Sequence, residues 1–485
     1  MHNLKRLINH DGPFVFLIHK RIKMSKLTIH SKEILADTLS PVSLYLKFRD
    51  IYPNAILLES NDFKGGADNY SFLCLDPLAA FVHDKTQTRV SILNKDISGR
   101  FKGHVNEKLQ QFLDYFNIEG SPEALRLNGA FGYTAYDAVT NFEKIDIARP
   151  DSQTRIPDIL YQLYRFVIAI NHHQYTATLM ELIPEGEASR LQEVEDQLLN
   201  RAYASYPFRA AAEERSNMTD EDYKGLVEQA VEHCQLGDTF QLVLSRRFNK
   251  AFEGDEFNVY RALRSINPSP YLFYFDYGNF RLFGSSPEGQ LVVRNGKATI
   301  VPIAGTVKRS GNDEEDRRLA TELYNDQKEN AEHVMLVDLA RNDLSRFATG
   351  IAVEKFKEIQ YFSHVLHMVS TVSGNIQNGV SPLEMLGNSY PAGTLTGAPK
   401  VKAMELISRY ENVNRSFYGG AIGQISFNGD VNHAIIIRSV LAKNHHLFYQ
   451  AGAGIVVQSQ PHKELEEVNN KIRAIQKAIE LAETI

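Results

Sequence analysis

The chain has 485 residues, of which 43% are hydrophobic and 23% are charged. This length suggests roughly three domains' worth of mass, and the composition predicts a packed core and excludes a disordered chain. The net charge of −6 comes from 53 basic and 59 acidic residues without a dominant basic block, which argues against nucleic acid as a partner. No run approaches the ~18 apolar residues that a membrane span needs. These properties favour a soluble enzyme of small metabolites.

The two cysteines, Cys74 and Cys234, stand in unrelated contexts, and neither belongs to a C-x-x-C pair. A disulfide framework and a structural zinc site are therefore not expected, and a reducing cytoplasm is the expected compartment. We interpret each cysteine as a small buried residue.

The first 24 residues carry five Lys and Arg side chains around the apolar run Phe14–Ile18. That run is too short for a signal-peptide core, and no small-residue cleavage site follows it. Asp11 and the lack of serine oppose the alternative of a transit peptide. We interpret residues 1–24 as a disordered or upstream extension, with Met24 as a candidate start.

The rest of the chain forms two blocks. Residues 27–205 contain alternating apolar segments typical of strands, then a predicted helix over Glu187–Ala202 and a polar connector over Tyr203–Met218. Residues 219–485 begin with Thr219–Asp222, whose spacing predicts a capping box and a helix to about Leu236.

Strands outnumber helices in both blocks. In the first block, strands are predicted over Ala55–Glu59, Tyr70–Leu75, Arg89–Leu93, Phe166–Asn171 and Tyr175–Leu182. In the second, they are predicted over Thr239–Asn249, Tyr271–Tyr277, Gln290–Arg294, Ala298–Ile303, Ser363–Val372, Gly420–Phe427, Ala434–Leu441 and Leu447–Gly452. Helices are predicted over Asp313–Phe347 with an interruption, Val401–Arg409 and His462–Ala482. Because strands often follow one another directly, we expect an α+β fold with antiparallel sheet.

The stretch Pro391–Lys400 reads P-A-G-T-L-T-G-A-P-K and is the most informative segment of the chain. Its glycines, prolines and threonines predict a tight loop with exposed amides and two hydroxyls. Because a helix follows, the loop would present N–H groups and a favourable dipole to an anion. A plain turn that leads into a helix is the alternative.

Two predicted helices carry paired carboxylates at i, i+3 spacing, which places each pair on one helix face. Glu329 and Glu332 form one pair, and Glu464 and Glu467 form the other, with Lys471 continuing the second stripe. Beside that stripe runs an apolar one that should pack on the core, made of Leu465, Val468, Ile472, Ile475 and Ile479. The carboxylates fit either a solvated face or a shared Mg²⁺ site, and the residues alone do not decide.

Other polar residues suggest a pocket for anions. In the predicted strand Ser363–Val372, His364 and His367 would point to opposite faces, which argues against zinc chelation by this pair. Arg438, placed in the predicted strand Ala434–Leu441, suits a carboxylate contact or an ordinary salt bridge. The glycines of Gln450–Gly454 suit an anion or a turn.

In chain order, these motifs resemble the large subunit of anthranilate synthase, a family of chorismate-utilising enzymes. The motifs are Gly237–Arg246, Asn267–Tyr271, Ser285–Glu288, Pro302–Thr306, Glu332–Asp338, Arg341–Asp343, His367–Ser370, Pro391–Lys400, Tyr418–Gly420 and Gln450–Gly454. The resemblance implies the chorismate-binding enzyme fold, with layered antiparallel and mixed sheets flanked by helices in the order α/β/β/α. It also implies a regulatory domain over 27–205, intertwined with a catalytic domain over 219–485.

The family implies a reaction in which chorismate and ammonia give an amino intermediate that loses pyruvate to form anthranilate. By resemblance, Mg²⁺ is held by Glu332 and Glu467, with Glu329 and Glu464 beside them. The remaining substrate contacts implied by the resemblance are Thr306, Tyr418, Arg438, Gly452, Gly454 and Lys471. The implied catalytic residues are Glu288 as general acid, Thr394, Gln241 and His367, the last assisting the elimination of pyruvate.

Two positions choose among family members. Water-using relatives have Lys at the position of Gln241, and aminodeoxychorismate synthases have Lys at the position of Ala304, so this chain favours ammonia attacking C2 directly. The Thr394 form of the loop also fits anthranilate synthases. The aminodeoxychorismate synthase large subunit remains the alternative. No G-x-C-x-G glutaminase motif occurs, which implies a separate glutamine amidotransferase subunit as a partner.

The resemblance also implies a feedback pocket for tryptophan. Its residues would be Leu58, Glu59, Ser60, Asn267, Pro268 and Tyr271. Either Glu59 or Ser60 would hold the ligand amino group, and departures over Asp62–Asn69 leave part of the pocket unassigned. A core strand end is the alternative interpretation. A non-catalytic tryptophan-binding paralogue is opposed by the presence of Glu288, Glu332, Glu467 and Arg438.

Overall fold

The computed structural model describes residues 25–60, 69–147, 153–362 and 365–485. The expected extension over 1–24 lies outside these ranges, as do His364 and residues 62–68 of the departing stretch. Within the described residues, no helix is both long enough and apolar enough to cross a membrane.

The described chain contains runs of consecutive strands separated by helices. The strands are β1 (Ser25–Leu35), β2 (Ile56–Ser60), β3 (Tyr70–Asp84), β4 (Gln87–Ile92), β5 (Lys95–Asp96), β6 (Phe116–Glu119), β7 (Gly129–Thr134), β8 (Ile159–Asn171), β9 (Thr176–Pro184), β10 (Phe208–Ala210), β11 (Arg215–Ser216), β12 (Gln241–Gly254), β13 (Tyr271–Asp276), β14 (Phe280–Ser286), β15 (Gly289–Arg294), β16 (Lys297–Ile300), β17 (Ile303–Lys308), β18 (Ala348–Tyr361), β19 (Val365–Ile376), β20 (Gly397–Ala398), β21 (Ala421–Ser426), β22 (Val431–Ile435), β23 (Ser439–Lys443) and β24 (His446–Ile455). The helices are α1 (Pro41–Phe48), α2 (Val105–Asp114), α3 (Pro122–Leu127), α4 (Leu191–Asn200), α5 (Asp220–Gln235), α6 (Phe257–Ile266), α7 (Asp313–Asn325), α8 (Gln327–Ser345), α9 (Pro382–Ser389), α10 (Lys400–Tyr410) and α11 (Pro461–Ala482).

The α+β prediction is confirmed, because the strands form extensive antiparallel sheet with helices packed against it. Strands β1 and β6 run parallel, whereas the long pairings β3 with β8, β12 with β24 and β18 with β19 are antiparallel. Pairing also crosses between the two blocks of the chain. Strand β2 pairs with β13, and β7 pairs with β21, so each block contributes strands beside the other.

Helices pack against the apolar faces of the sheet. Helix α11 packs on β24, α5 and α6, and its predicted apolar stripe from Leu465 to Ile479 is buried, which confirms that prediction. Helix α8 packs on β17, β18 and β19. The capping box is also confirmed, since the Thr219 hydroxyl accepts from the Asp222 N–H at 3.1 Å. The two carboxylate-bearing helices therefore attach to different parts of the sheet.

Several predicted boundaries were wrong. The strand predicted over Ala434–Leu441 is two strands, because the chain turns between β22 and β23 with Arg438 at a φ of +50°. The interruption predicted in the long helix is confirmed and lies at Asp326, which caps α8 by accepting from the Glu329 N–H. The connector Tyr203–Met218 contains β10 and β11, which both pair with β12.

The prediction that the loop Pro391–Lys400 exposes its backbone amides was wrong. It contains a 3-10 turn over Gly393–Leu395 and the short strand β20, which pairs with the start of β12. The Thr396 hydroxyl is buried and donates to the Ala392 carbonyl at 3.1 Å. The N–H groups of Leu395 and Thr396 are used inside the loop. The loop is therefore mostly buried scaffold, and Thr394 is the half-buried hydroxyl that it presents.

Candidate active site

Glu288 lies in the turn between β14 and β15, directly under the 3-10 turn of the loop Pro391–Lys400. The Thr394 hydroxyl donates a hydrogen bond to Glu288 Oε1 at 3.1 Å. Burial raises the pKa of Glu288 to about 7, against the opposing effects of the Thr394 hydrogen bond and the Lys471 charge. A carboxyl group with this pKa is partly protonated near neutral pH, which suits a general acid.

The four carboxylates predicted for a metal site act on one another electrostatically. Burial raises the pKa of Glu332, and the charges of Glu329 and Glu467 raise it further. Burial likewise raises the pKa of Glu464, with Glu467 adding to the rise. The helices α8 and α11 thus present like charges to one another, an arrangement that a cation would relieve.

Neutral and basic groups hold two of these carboxylates. Gln241 Nε2 donates to Glu332 Oε1 at 3.3 Å, and Lys471 Nζ lies 2.7 Å from Glu467 Oε1. Across the described parts of the chain, no three His, Cys, Asp or Glu side chains converge closely enough to hold a metal ion. The four carboxylates are close enough to repel one another, but no three of them surround a single point.

Gln241 begins β12 and is only 3% exposed. Its amide nitrogen contacts Glu332, but its carbonyl oxygen has no hydrogen-bond partner among the described residues. A Cβ atom on Gly454 would lie 2.5 Å from Gln241 Nε2, so a larger residue there would displace the Gln241 amide. The buried amide oxygen can accept a hydrogen bond from a small N–H donor.

Tyr418, Arg438 and Gly452 meet at the end of β24. Burial raises the pKa of Tyr418 to about 12, while Arg415, Arg438 and a hydrogen bond with the Gly452 backbone act to lower it. Lys471 Nζ donates to the Gly452 carbonyl at 2.8 Å. Three groups that suit a carboxylate therefore share one region: a phenol, a guanidinium and a glycine-rich strand end.

The turn between β22 and β23 fixes Arg438. Its carbonyl accepts from the Ser285 N–H at 3.1 Å, which ties it to β14 near Glu288. Burial lowers the pKa of the Arg438 guanidinium, although Tyr418 and Glu467 act in the opposite direction. Because the ordinary pKa of arginine is far above neutral, the lowered pKa still leaves the guanidinium protonated at pH 7. The side chain therefore remains a cation that can bind a carboxylate.

Thr306 and His367 are neighbours on the paired strands β17 and β19. Their side chains meet at 3.1 Å between Thr306 Oγ1 and His367 Nδ1, and Nδ1 also lies 3.2 Å from the Gly305 carbonyl. Because a carbonyl only accepts, Nδ1 carries the proton and Nε2 keeps its lone pair. Burial lowers the pKa of His367, so the ring is neutral at pH 7.

The residues assigned to a tryptophan pocket separate onto two faces. On β2, Glu59 pairs opposite Leu272 and Ser60 opposite Tyr271, so their side chains point to opposite sides of the sheet. Glu59 is buried against α6, where it accepts from the Tyr260 hydroxyl at 2.5 Å and from Arg264 Nε at 3.0 Å. Ser60 and Tyr271 both line a cleft on the other side.

The remaining residues assigned to this pocket are not among those that line the cleft. Leu58 alternates with Glu59 and shares the face of Ser60. Asn267 and Pro268 occupy the turn before β13, where the Asn267 carbonyl accepts from the Ser285 hydroxyl. Of the two candidates for an amino-group ligand, only Ser60 is on the side of the cleft.

One half-buried and one buried ion pair lie near the site, and the sequence analysis assigned no role to either. Lys400 Nζ lies 2.7 Å from Asp343 Oδ1, and Arg415 lies 2.6 Å from Glu411 Oε1. Asp343 lines the small pocket that also contains Glu288 and Thr394. Glu411 and Arg415 are four residues apart, and this i, i+4 spacing is the signal in the sequence that could have predicted their pairing.

Comparison with known proteins agrees with this geometry. Residues 56–477 match the family model of the chorismate binding enzyme. The chain is 38% identical over 475 residues to anthranilate synthase component 1 of Aquifex aeolicus, covering 93% of this chain and 94% of that protein. It is 36% identical to the protein of the same name from Acetivibrio thermocellus, with coverage of 93% and 94%.

Solved structures give the same answer. Anthranilate synthase component I from Streptococcus pneumoniae superposes with a TM-score of 0.75 at 31% identity, covering 91% of this chain and 98% of that one. The menaquinone-specific isochorismate synthase of Escherichia coli superposes with a TM-score of 0.73 at 19% identity, which concerns the fold alone. The chain belongs to the chorismate binding enzymes and, within them, to the anthranilate synthase component 1 family.

Proposed function

We propose that this protein makes anthranilate and pyruvate from chorismate and ammonia, the first committed step towards tryptophan. The observation that carries the proposal is the buried amide of Gln241 beside Glu332. Its unpartnered carbonyl oxygen suits an N–H donor, whereas an amide lacks the basicity needed to activate water. Ammonia carries its own lone pair and needs no such base.

The site of attack follows from Ala304 on β17. A lysine there would offer a nucleophile for a covalent intermediate, as in the aminodeoxychorismate synthases that this chain resembles less. Ala304 is 8% exposed and chemically inert, which favours direct attack of ammonia on C2. The aminodeoxychorismate synthase large subunit is the competing function, and it differs in its product.

Chorismate has two carboxylates, and one cationic region of the site suits one of them. Arg438, Tyr418 and the strand end at Gly452 would bind the enolpyruvyl carboxylate, since a guanidinium and a phenol both donate to it. Lys471 lies between this region and Glu467, which it contacts at 2.7 Å. Thr306 and Thr394 would contribute hydroxyl contacts to the substrate.

The carboxylates of α8 and α11 fit a Mg²⁺ ion. Burial and the charges of Glu329 and Glu467 raise the pKa of Glu332, and Mg²⁺ prefers one or two protein carboxylates together with oxygen atoms of substrate and water. Glu332 and Glu467 would bind it, with Glu329 and Glu464 orienting ligands beside them. When bound, Mg²⁺ would act as a Lewis acid on the ring carboxylate of chorismate.

Two side chains would then take part in proton transfer. Glu288 would give its proton to the C4 hydroxyl as that group leaves, which its raised pKa permits. Neutral His367, with Nε2 unprotonated, would assist the later loss of pyruvate. Thr394 orients the acid through its hydrogen bond.

We further propose that a separate glutamine amidotransferase subunit supplies the ammonia. The relatives are named component 1, which implies a second component. Tryptophan would bind in the cleft near Ser60 and Tyr271 and inhibit the enzyme. The two free cysteines are compatible with the reducing cytoplasm as the compartment.

A product assay tests the function. The purified protein is incubated with chorismate, Mg²⁺ and an ammonium salt, and anthranilate is followed by its fluorescence. Formation of anthranilate without any other enzyme is the expected result. An aminated product that needs an added lyase before an aromatic compound appears would instead support the aminodeoxychorismate alternative.

Two variants of Gln241 test the choice of nucleophile. Gln241→Lys introduces a base and should yield some water-derived product from chorismate, detected by chromatography. Gln241→Met has similar length without a base and should lose ammonia-dependent rate without that new product. An unchanged product spectrum in Gln241→Lys would count against the proposed role of the amide.

A further inference from the structure

Arg415 is a large buried side chain in the turn between α10 and β21, with a relative exposure of 1%. Its Nε donates to Glu411 Oε2 at 2.9 Å, and its Nη2 donates to Glu411 Oε1 at 2.6 Å. Its Nη2 also donates to the Val243 carbonyl of β12 at 2.8 Å. A charge this deeply buried is costly, so the contacts it makes are worth tracing.

The fourth contact reaches the loop Pro391–Lys400. Arg415 Nη1 donates to the carbonyl of Leu395, the residue that follows Thr394. Helix α10 lies between Leu395 and Arg415 in the chain. The hydrogen bond from Arg415 to Leu395 therefore links the residues that precede this helix to those that follow it. The guanidinium is rigid and planar, so it fixes the Leu395 carbonyl relative to β12 through Val243.

The same guanidinium lies beside Tyr418. Arg415 Cζ is 5.7 Å from the Tyr418 ring centroid and 4.8 Å from that of Tyr136, within the range of cation–π contacts. The Arg415 charge also acts to lower the pKa of Tyr418, whose hydroxyl faces Gly452. One buried cation therefore touches both the loop that bears Thr394 and the phenol assigned to the substrate carboxylate.

We propose that Arg415 is a positioning residue for the reaction: through Leu395 it holds the Thr394 hydroxyl on Glu288. The inference rests on the proposed function, because the roles of Thr394 and Glu288 come from it. The guanidinium of Arg415 is bound to Glu411, Val243 and Leu395, and Glu411 keeps it charged and oriented.

A conservative variant tests this role without removing the charge. Arg415→Lys keeps a cation beside Glu411, but a single ammonium lacks the fork that reaches Leu395 and Val243 together. Misplacing a reacting group by about 1 Å costs about 100-fold in rate, so kcat should fall by about that factor. The KM for ammonia should change far less than kcat, because Arg415 bonds to Val243 and Leu395 but not to Gln241.

Arg247 provides a matched control. It is 6% exposed, lies on β12 and donates to Gln450, Thr154 and the Asn414 carbonyl, but it does not contact the loop. Arg247→Lys should cost comparable thermal stability while keeping kcat within about twofold of wild type. An equal loss of kcat in both variants would show that any buried arginine defect has this effect and would overturn the proposal.

A double-mutant cycle with Thr394→Val separates positioning from general damage. If Arg415 acts through Thr394, Arg415→Lys should lower kcat by no more than about twofold in the Thr394→Val background. Losses that multiply in the double variant would overturn the proposal. Should Arg415→Lys lose its unfolding transition, Glu411→Gln loosens the same guanidinium and replaces it in the cycle.

The proposal and the proposed function fail in different ways. A wild-type protein that consumes chorismate without making anthranilate contradicts the function, and the same cycle is then read from chorismate consumption. Coupling between Arg415 and Thr394 in that readout would still support the positioning role, and its absence would overturn it.

Discussion

The Thr394 hydroxyl donates a hydrogen bond to the Glu288 carboxylate at 3.1 Å, across a separation of 106 positions in the chain. One partner lies in a turn between two strands, and the other in a 3-10 turn of a buried loop. The contact partly offsets the effect of burial, which raises the pKa of Glu288 to about 7. The acidity of the proposed catalytic acid therefore depends on the placement of one hydroxyl group.

Replacing Thr394 should move the pH profile of the reaction. A general acid works while protonated, so kcat should fall as pH rises through the Glu288 pKa of about 7. Thr394→Val removes a hydrogen bond that stabilises the carboxylate, so the pKa rises and the alkaline limb moves to higher pH. Thr394→Ser keeps the hydroxyl and should leave the limb in place, as measured from kcat between pH 6 and 9. These pH bounds, about one to two units around the pKa, bracket the transition.

Glu288→Gln should abolish that limb altogether. The amide cannot give up a proton, and loss of general acid catalysis costs at least about 100-fold in rate. A Gln variant that retains both the wild-type rate and the alkaline limb would contradict the role assigned to Glu288.

Metal removal tests the carboxylates of α8 and α11. Chelation of Mg²⁺ should abolish activity, and adding Mg²⁺ should raise the thermal midpoint of the wild-type protein, because a ligand that binds the folded state stabilises it. Glu332→Gln and Glu467→Gln should lose most of that thermal shift. Glu466→Gln, an exposed neighbour on α11, is the control and should keep it. An undiminished shift in Glu332→Gln would place the ion elsewhere.

The two faces of β2 predict different outcomes for tryptophan inhibition. Ser60→Ala should raise the tryptophan concentration for half inhibition by about tenfold, since one lost hydrogen bond is worth about 1.4 kcal/mol. Glu59→Gln should leave that concentration nearly unchanged, because Glu59 faces Tyr260 and Arg264 on the other side. It should instead lower stability, since it breaks a buried ion pair. Inhibition curves and thermal unfolding separate the two effects.

His433 should make folding stability sensitive to acid. It is 0% exposed, its Nε2 lies 2.9 Å from the Tyr161 hydroxyl, and burial lowers its pKa to about 3. The unfolded chain binds a proton below its ordinary pKa of about 6.5, but the folded chain does not until about pH 3. His433 should therefore cost about 1.4 kcal/mol of stability for each pH unit below 6.5.

The measurement is denaturant unfolding at several pH values between about 4 and 7. His433→Gln keeps a polar partner for Tyr161 without a titrating ring, and it should reduce the slope over this range by about 1.4 kcal/mol per pH unit. Surface His30 serves as the control, and His30→Gln should leave the slope as in wild type. An unchanged slope in His433→Gln would assign the acid sensitivity to other groups.

Local patterns were sufficient for much of the fold. The apolar stripe of α11 and the capping box at Thr219 both follow from spacing along a single helix, and both are as predicted. The break between β22 and β23 was missed, because Arg438 at a φ of +50° is held by the Ser285 N–H from a distant strand. The loop Pro391–Lys400 was expected to expose its amides, but pairing with β12 buries it.

The residues of the sequence by themselves determined the family, the candidate carboxylates and the absence of lysine at positions 241 and 304, because these depend on residue identity and spacing. Only the tertiary structure decided that Glu288 is buried enough for a pKa of about 7, that Glu59 points away from Ser60, and that Arg415 holds the loop of Thr394. Burial and contacts between residues far apart in the chain set these properties, since desolvation and directional hydrogen bonds act over a few ångströms of space.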